Sequence, residues 1–166
     1  MKKIFLSLFV ALMLFSCEDK MSVEKIDVLE SKVFAEGASP SKDDVIQLVD
    51  AYMIFARQNP DDMLSPDFIF RALDITVGLN TENPQKAIDI ADVLIEKYPD
   101  FEMTPMSMFI KGFVYENMIG DLKNAELTYR GFIEKYPDNP MVEDVKSTLE
   151  NLGLSPEELI RKFEGK

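Results

Sequence analysis

The chain has 166 residues, which is long enough for one domain with a buried apolar core. It contains no histidine and a single cysteine, so it can form no internal disulfide and lacks the commonest catalytic base and metal ligand. Its 30 acidic residues outnumber its 18 basic residues, and a surface with this charge repels the phosphates of nucleic acid. We therefore expect no metal ion, no cofactor and no nucleic acid among its ligands.

The first residues have the pattern of a bacterial export signal. Lys2 and Lys3 precede an uncharged apolar run over residues 4–15. A run of this length suits the apolar part of a signal peptide and is short for a helix that crosses a bilayer. The pattern predicts a signal peptide over residues 1–16.

The residues that follow the apolar run indicate a lipid anchor. Leu14-Phe15-Ser16-Cys17 resembles the lipobox of bacterial lipoproteins, in which the cysteine is diacylated and becomes the mature N-terminus. The resemblance implies that Cys17 is lipidated and that residues 17–24 form a tether, since more than one acyl chain is enough for stable anchoring. Two alternatives stay open, namely an ordinary secretory peptide with an incidental cysteine, and an uncleaved anchor.

The residues after the cysteine indicate which bacterial membrane would hold the anchor. Glu18-Asp19 lacks the second-position aspartate that often retains lipoproteins at the inner membrane. The resemblance therefore favours the outer membrane of a Gram-negative bacterium over the inner membrane or the free periplasm. Acidic residues at this place would also suit any solvated tether.

Helix starts are predicted by side-chain oxygens that could cap a helix. A capping residue followed by proline precedes five apolar-periodic stretches. These pairs are Ser65-Pro66, Asn83-Pro84, Thr104-Pro105, Asn139-Pro140 and Ser155-Pro156. Ser41 with Asp44, and Ser155 with Glu158, also have the spacing of a capping box.

Helix ends are predicted by prolines just beyond the apolar-periodic stretches. Pro60, Pro99 and Pro137 stand at such places, where a helix cannot continue. Apolar residues recur at helical spacing between the starts and the ends, and no segment has the alternation of a strand. The predicted helices, in an all-α class, are 21–35, 42–58, 66–79, 84–97, 105–119, 122–135, 140–152 and 156–163.

The helices form a repeat. Ile95-Glu96-Lys97-Tyr98-Pro99-Asp100 recurs 38 positions later as residues 133–138, and Ala87 maps onto Ala125. A fainter first copy ends at Pro60, which lies 39 positions before Pro99. Because each two-helix unit has an apolar face that only a neighbour can cover, a period of this length predicts a helical solenoid. The units are expected at about 21–60, 66–99 and 104–137, with a cap over 140–163.

The second helices of the units resemble those of the tetratricopeptide repeat family. Ala125, Tyr129 and Pro137 match the alanine, aromatic residue and closing proline of that family, and Gly120 matches its interhelical glycine. The ending Phe-Ile-Glu-Lys-Tyr-Pro-Asp is similar to the repeats of outer-membrane lipoproteins, including the barrel-assembly accessory lipoproteins. The resemblance implies a tetratricopeptide-like α-α superhelix over residues 25–166, with about three helix-turn-helix units and C-terminal capping helices.

The first helices depart from the family pattern. No tryptophan is present, and its place falls on Arg71 and Phe109. Gly112 fits the family glycine only with a one-residue shift relative to Ala125. In the family, first helices line a groove that receives a peptide or a helix. Carried over residue by residue, the resemblance implies partner-binding positions at Ile69, Ala72, Thr76, Asn80, Ile110, Val114 and Asn117.

The predicted helix over 105–119 is apolar on nearly every side. Methionine-rich surfaces of this kind adapt to varied partners. A helix buried between two flanking units would have the same composition, and we favour this interpretation. Partner binding by this helix is the less favoured alternative.

An enzyme is not expected. Ser22 and Lys25 have the Ser-x-x-Lys spacing of penicillin-binding proteins, but no Lys-Thr-Gly accompanies them. Asp89, Asp92 and Glu96 share one helix face, which is the usual arrangement of solvated surface. The function expected is a lipid-anchored scaffold or adaptor that binds another protein or peptide of the cell envelope. The alternative is an envelope lipoprotein that binds a small ligand or the cell wall, through a pocket of convergent polar groups.

Overall fold

The computed structural model describes residues 20–79 and 83–165, which form eight α-helices, one π-helical segment and no strand. In chain order the α-helices are α1 Val23–Phe34, α2 Lys42–Gln58, α3 Leu64–Gly78, α4 Gln85–Lys97, α5 Thr104–Phe113, α6 Leu122–Lys135, α7 Val142–Glu150 and α8 Pro156–Phe163. The π-helical segment, Val114–Ile119, continues α5 without a break. The predicted all-α class is confirmed. The predicted signal peptide, Cys17 and Asn80 lie outside the described residues.

The predicted boundaries of α2, α6 and α8 agree with the structure at both ends, and two of these helices begin with a capping box. Helix α2 begins after Ser41, whose hydroxyl accepts from the amide of Asp44 at 3.1 Å, while the Asp44 carboxylate accepts from the amide of Ser41 at 3.0 Å. Helix α8 begins in the same way with Ser155 and Glu158. These reciprocal bonds satisfy amides that a helix start leaves without partners.

Other predicted capping residues have different roles. Ser65, Asn83, Thr104 and Asn139 are not the N-caps that the sequence predicted. The hydroxyls of Ser65 and Thr104 are buried and donate to the carbonyls of Asn59 and Tyr98, each at 2.6 Å. A buried hydroxyl needs an acceptor, and the end of the preceding helix supplies a carbonyl that has no partner within that helix.

The three units end in the same turn. Helices α2, α4 and α6 stop at Asn59, Tyr98 and Tyr136, whose φ and ψ angles are −133° and 61°, −130° and 56°, and −126° and 54°. In each turn the amide three residues later donates back to the carbonyl of the stopping residue, at 3.1, 3.1 and 3.0 Å. The turn at Pro60 therefore has the same backbone geometry as the turns that contain Pro99 and Pro137.

Successive helices pack against each other in chain order from α1 to α7, as expected for a tetratricopeptide-like helical solenoid. One buried cluster runs from Ile26 in α1 to Val114 at the start of the π-helical segment. A second cluster joins α6 to α7 around Tyr129 and Phe132. In the described ranges, no helix is both long enough and apolar enough to span a membrane.

A candidate groove along the first helices

The third unit depends on close contact between α5 and α6. A Cβ atom on Gly112 would lie 2.4 Å from Cε1 of Tyr129, so only glycine lets the tyrosine ring approach α5. The ring also packs against Phe109, with centroids 5.8 Å apart, and its hydroxyl donates to the Glu116 carboxylate at 2.9 Å. Burial, and then this hydrogen bond, raise the pKa of Tyr129 above its ordinary value.

The π-helical segment explains the one-residue shift seen in the sequence. Val114–Ile119 lies between Gly112 and Ala125, and a π turn accommodates one more residue than an α turn. The segment ends at Gly120, which has a φ of 78°, and the amide of Asp121 donates to the carbonyl of Tyr115 at 2.8 Å. Positions before the segment are therefore displaced by one when they are counted back from Ala125.

An open cavity of about 560 Å³ lies where α5 and the π-helical segment face α7 and α8. We call it the third-unit groove, and its lining includes Phe109, Phe113, Glu116, Asn117, Thr148, Asn151, Leu159 and Phe163. Phe113 remains 41% exposed, so the groove presents an aromatic surface to solvent. A groove between helices that combines apolar and polar side chains is a typical place for a helix or peptide to bind.

The second unit has a smaller cavity beside its first helix. Arg71 and Ile75 of α3 line this cavity of about 200 Å³, which we call the second-unit groove. Asp74 also lines this groove and is exposed. The first helices of the second and third units thus each border an open cavity.

A hydrogen-bonded charge network borders the second-unit groove. The Glu30 carboxylate accepts from the Tyr52 hydroxyl at 2.5 Å and from Nη1 of Arg71 at 3.1 Å. Nε of Arg71 donates to Asp67 at 2.8 Å. Burial, and then the bond to Glu30, raise the pKa of Tyr52 above its ordinary value. Because the one arginine faces several carboxylates, this part of the surface has an acidic balance.

The predicted partner-binding residues are distributed differently from the expectation. Ile69, Ala72, Thr76 and Val114 are between 0% and 2% exposed and belong to the packing between units. Ile110 is half-buried and packs against the first core cluster. Ile69 and Thr76 still border two smaller cavities between helices. Partner binding by these five residues stays a prediction.

Asn117 is exposed and lines the third-unit groove, so its role in partner binding stays a prediction. Phe109, Phe113, Arg71 and Ile75 were not among the predicted partner-binding residues. The shifted Gly112 was the signal that could have found the groove residues of the third unit. Counting back from Gly112 instead of Ala125 moves Ile110 to Phe109 and Val114 to Phe113.

Two of the other cavities have mainly apolar linings. A cavity of about 300 Å³ between α2, α3 and α4 has apolar walls that include Met53 and Val93, with Arg57 and Lys97 at its edge. A cavity of about 200 Å³ beside Thr76 is bordered by Lys42 and is also mainly apolar. Among residues 20–79 and 83–165, no cluster of three or more carboxylate, cysteine or histidine side chains could hold a metal ion.

Comparison with known families finds a similarity in the third unit. Residues 106–139 match the tetratricopeptide repeat family. The match covers most of α5, the π-helical segment, α6 and the turn after α6, so it falls on the unit that borders the larger groove. No curated protein matches the chain. Tetratricopeptide repeats mediate protein–protein interactions, which makes a protein the expected kind of partner.

Proposed function

We propose that the protein is a lipid-anchored interaction scaffold of the cell envelope, which binds another envelope protein or peptide along its first helices. The observation that carries the proposal is the third-unit groove, where the exposed Phe113 lies inside the matched tetratricopeptide repeat. Tetratricopeptide repeats are typically interaction modules without catalytic activity, and this supports a binding role over an enzymatic one.

The envelope and the membrane anchor are supported by the sequence. The apolar run over residues 4–15 and the lipobox-like residues that end in Cys17 are typical of bacterial lipoproteins. A lipid on Cys17 would hold the helical repeats close to a membrane surface. Glu18-Asp19, which lacks an aspartate directly after the cysteine, supports the outer membrane as the location.

Site-specific photo-crosslinking tests the groove. A photoreactive phenylalanine analogue at Asn117, which is exposed in the third-unit groove, should form a crosslink to one envelope protein in intact cells. The matched control is the same analogue at Lys123, which is exposed on α6 and does not line either groove. A crosslink of equal yield at both positions, or none at Asn117, would contradict groove binding.

Fractionation of cell membranes tests the anchor. Cys17→Ala removes the only thiol, so the variant should move from the membrane fraction to the soluble fraction. The variant with the photoreactive residue at Lys123 keeps Cys17, so it serves as the control and should stay in the membrane fraction. If Cys17→Ala remains membrane-bound at wild-type levels, the lipid anchor is wrong.

The alternative, binding of a small ligand or of the cell wall, has less support. The cavity between α2, α3 and α4 has two cations at its edge, but its walls are mainly apolar. A ligand site usually adds several polar groups that converge on one point. Thermal unfolding with soluble cell-wall fragments would separate the two functions, because a scaffold should show no shift in melting temperature.

A further inference from the structure

The third-unit groove contains part of the chain's own last helix. Leu159 and Phe163 lie four residues apart in α8, and both line the groove together with Phe109 and Phe113. Residues at this spacing stand on one side of a helix. The groove is therefore complementary to the apolar face of a short amphipathic helix.

Helix α8 covers the groove only loosely. Phe163 remains 77% exposed, and a cavity of about 560 Å³ persists beside it. Each helix from α1 to α7 packs extensively against a neighbour, whereas α8 shares no comparable interface with any described helix. A short connection over residues 151–155, with Gly153 at a φ of 74°, joins α8 to α7. Elements with so little buried contact open at low free-energy cost.

One cation of α8 contacts the end of α7. Nζ of Lys162 donates to Oδ1 of Asn151 at 2.6 Å and to the carbonyl of Glu150 at 3.4 Å. The last carbonyls of a helix carry partial negative charge, so a cation at this position is favourable. The groove also contains the Glu116 carboxylate, and the whole chain has a net charge of −12.

We propose that α8 is a displaceable cover of the third-unit groove, and that an amphipathic helix of the partner protein takes its place. This proposal rests on the proposed function. The contacts of α8 define the chemistry of the partner helix, which has two apolar residues four positions apart and a lysine or arginine next to the second. Apolar side chains that fill the remaining cavity make the partner bind more tightly than α8. Its basic residues face the acidic surface of this chain.

A peptide with the sequence of residues 154–166 tests the cover. Leu159→Ser with Phe163→Ser weakens the cover within the full chain without touching the core, because both residues lie on the last helix. Nuclear magnetic resonance titration should show the peptide binding this variant about tenfold more tightly than the wild-type chain, since the groove is no longer occupied. The control Ile160→Ser changes an exposed residue that does not line the groove, and it should bind like the wild type.

The outcomes separate this proposal from the alternatives. Equal peptide affinity for the double variant and the wild type, or no binding by a double variant with an unchanged circular dichroism spectrum, overturns the cover. A wild-type dimer that the double variant cannot form overturns it as well, because α8 of a second copy would then be the occupant.

The crosslink at Asn117 distinguishes failure of the cover from failure of the scaffold. If it forms with equal yield whether or not α8 is weakened, the scaffold stands and the cover falls, whereas its absence in both chains contradicts the scaffold itself.

Discussion

The contact between Gly112 and Tyr129 requires glycine at position 112 of the third unit. The tyrosine ring occupies the space where any Cβ atom on residue 112 would stand. The ring in turn contacts Phe109, which lines the third-unit groove. One glycine therefore determines both how closely α5 and α6 pack and where an aromatic groove residue lies.

Gly112→Ala should lower the free energy of unfolding by about 1–3 kcal/mol, because the added methyl group displaces the buried Tyr129 ring. Gly78→Ala is the matched control, since Gly78 ends α3 and a Cβ atom there would meet nothing within 4 Å. The control should be neutral or stabilising by up to about 1 kcal/mol. Urea denaturation followed by circular dichroism measures both. Similar losses for the two variants would show that the close approach does not matter.

At the scale of elements, local signals and long-range contacts act together. Helix α1 is held on α2 by the buried Ile26, by a bond from the amide of Met21 to Oε1 of Gln58 at 2.8 Å, and by an ion pair of Lys32 with Asp44 at 2.5 Å. Asp44 also closes the capping box of α2. The same carboxylate thus starts one helix and binds another.

Acid should weaken the α1–α2 pair through Asp44. The hydrogen bond from Lys32 and the bonds from Ser41 lower the pKa of Asp44 from 3.8 to about 2. Its contribution to stability is therefore fully present above pH 3.8 and is lost as the pH falls toward 2. Asp44→Asn should flatten the fall in melting temperature between pH 4 and pH 2, as measured by circular dichroism. Asp43→Asn, at the exposed neighbouring position, is the control and should keep the wild-type fall. Parallel curves for the two variants would contradict the role of Asp44.

At the scale of the whole molecule, the units are joined by contacts that repeat only in part. The hydroxyl of Tyr98 donates to the carbonyl of Pro60 at 2.9 Å and so connects the turns that end the first and second units. Tyr136 occupies the same place in the third unit, but its buried hydroxyl has no hydrogen-bond partner among the described residues. The same residue at the same turn thus has two different environments.

Tyr98→Phe should lower the free energy of unfolding by about 0.5–1 kcal/mol, because it removes a hydrogen bond between two units. Tyr136→Phe is the matched change and should leave stability unchanged or raise it, since it removes a buried hydroxyl without a partner. Urea denaturation of the two variants checks the difference. Equal effects, or a larger loss for Tyr136→Phe, would show that the two hydroxyls do not differ in this way.

The sequence by itself determined the helical class, the repeat and most of the helix boundaries, because these depend on local chemistry. Capping boxes at Ser41 and Ser155, prolines that end helices and the spacing of apolar residues act within a few residues of each other. The tertiary structure decided what each side chain contacts. It showed that Ser65 and Thr104 bond to the preceding turn instead of capping a helix.

The tertiary structure also decided which residues face the groove. The sequence contained the one-residue shift at Gly112, but only the structure showed that Phe109 and Phe113 line the groove while Val114 is buried in the core. The position of α8 over the groove was equally beyond local rules, because it depends on how a short amphipathic helix meets a surface built from residues far apart in the chain. Helix formation is local, whereas the register of a groove depends on the sum of all the turns between its helices.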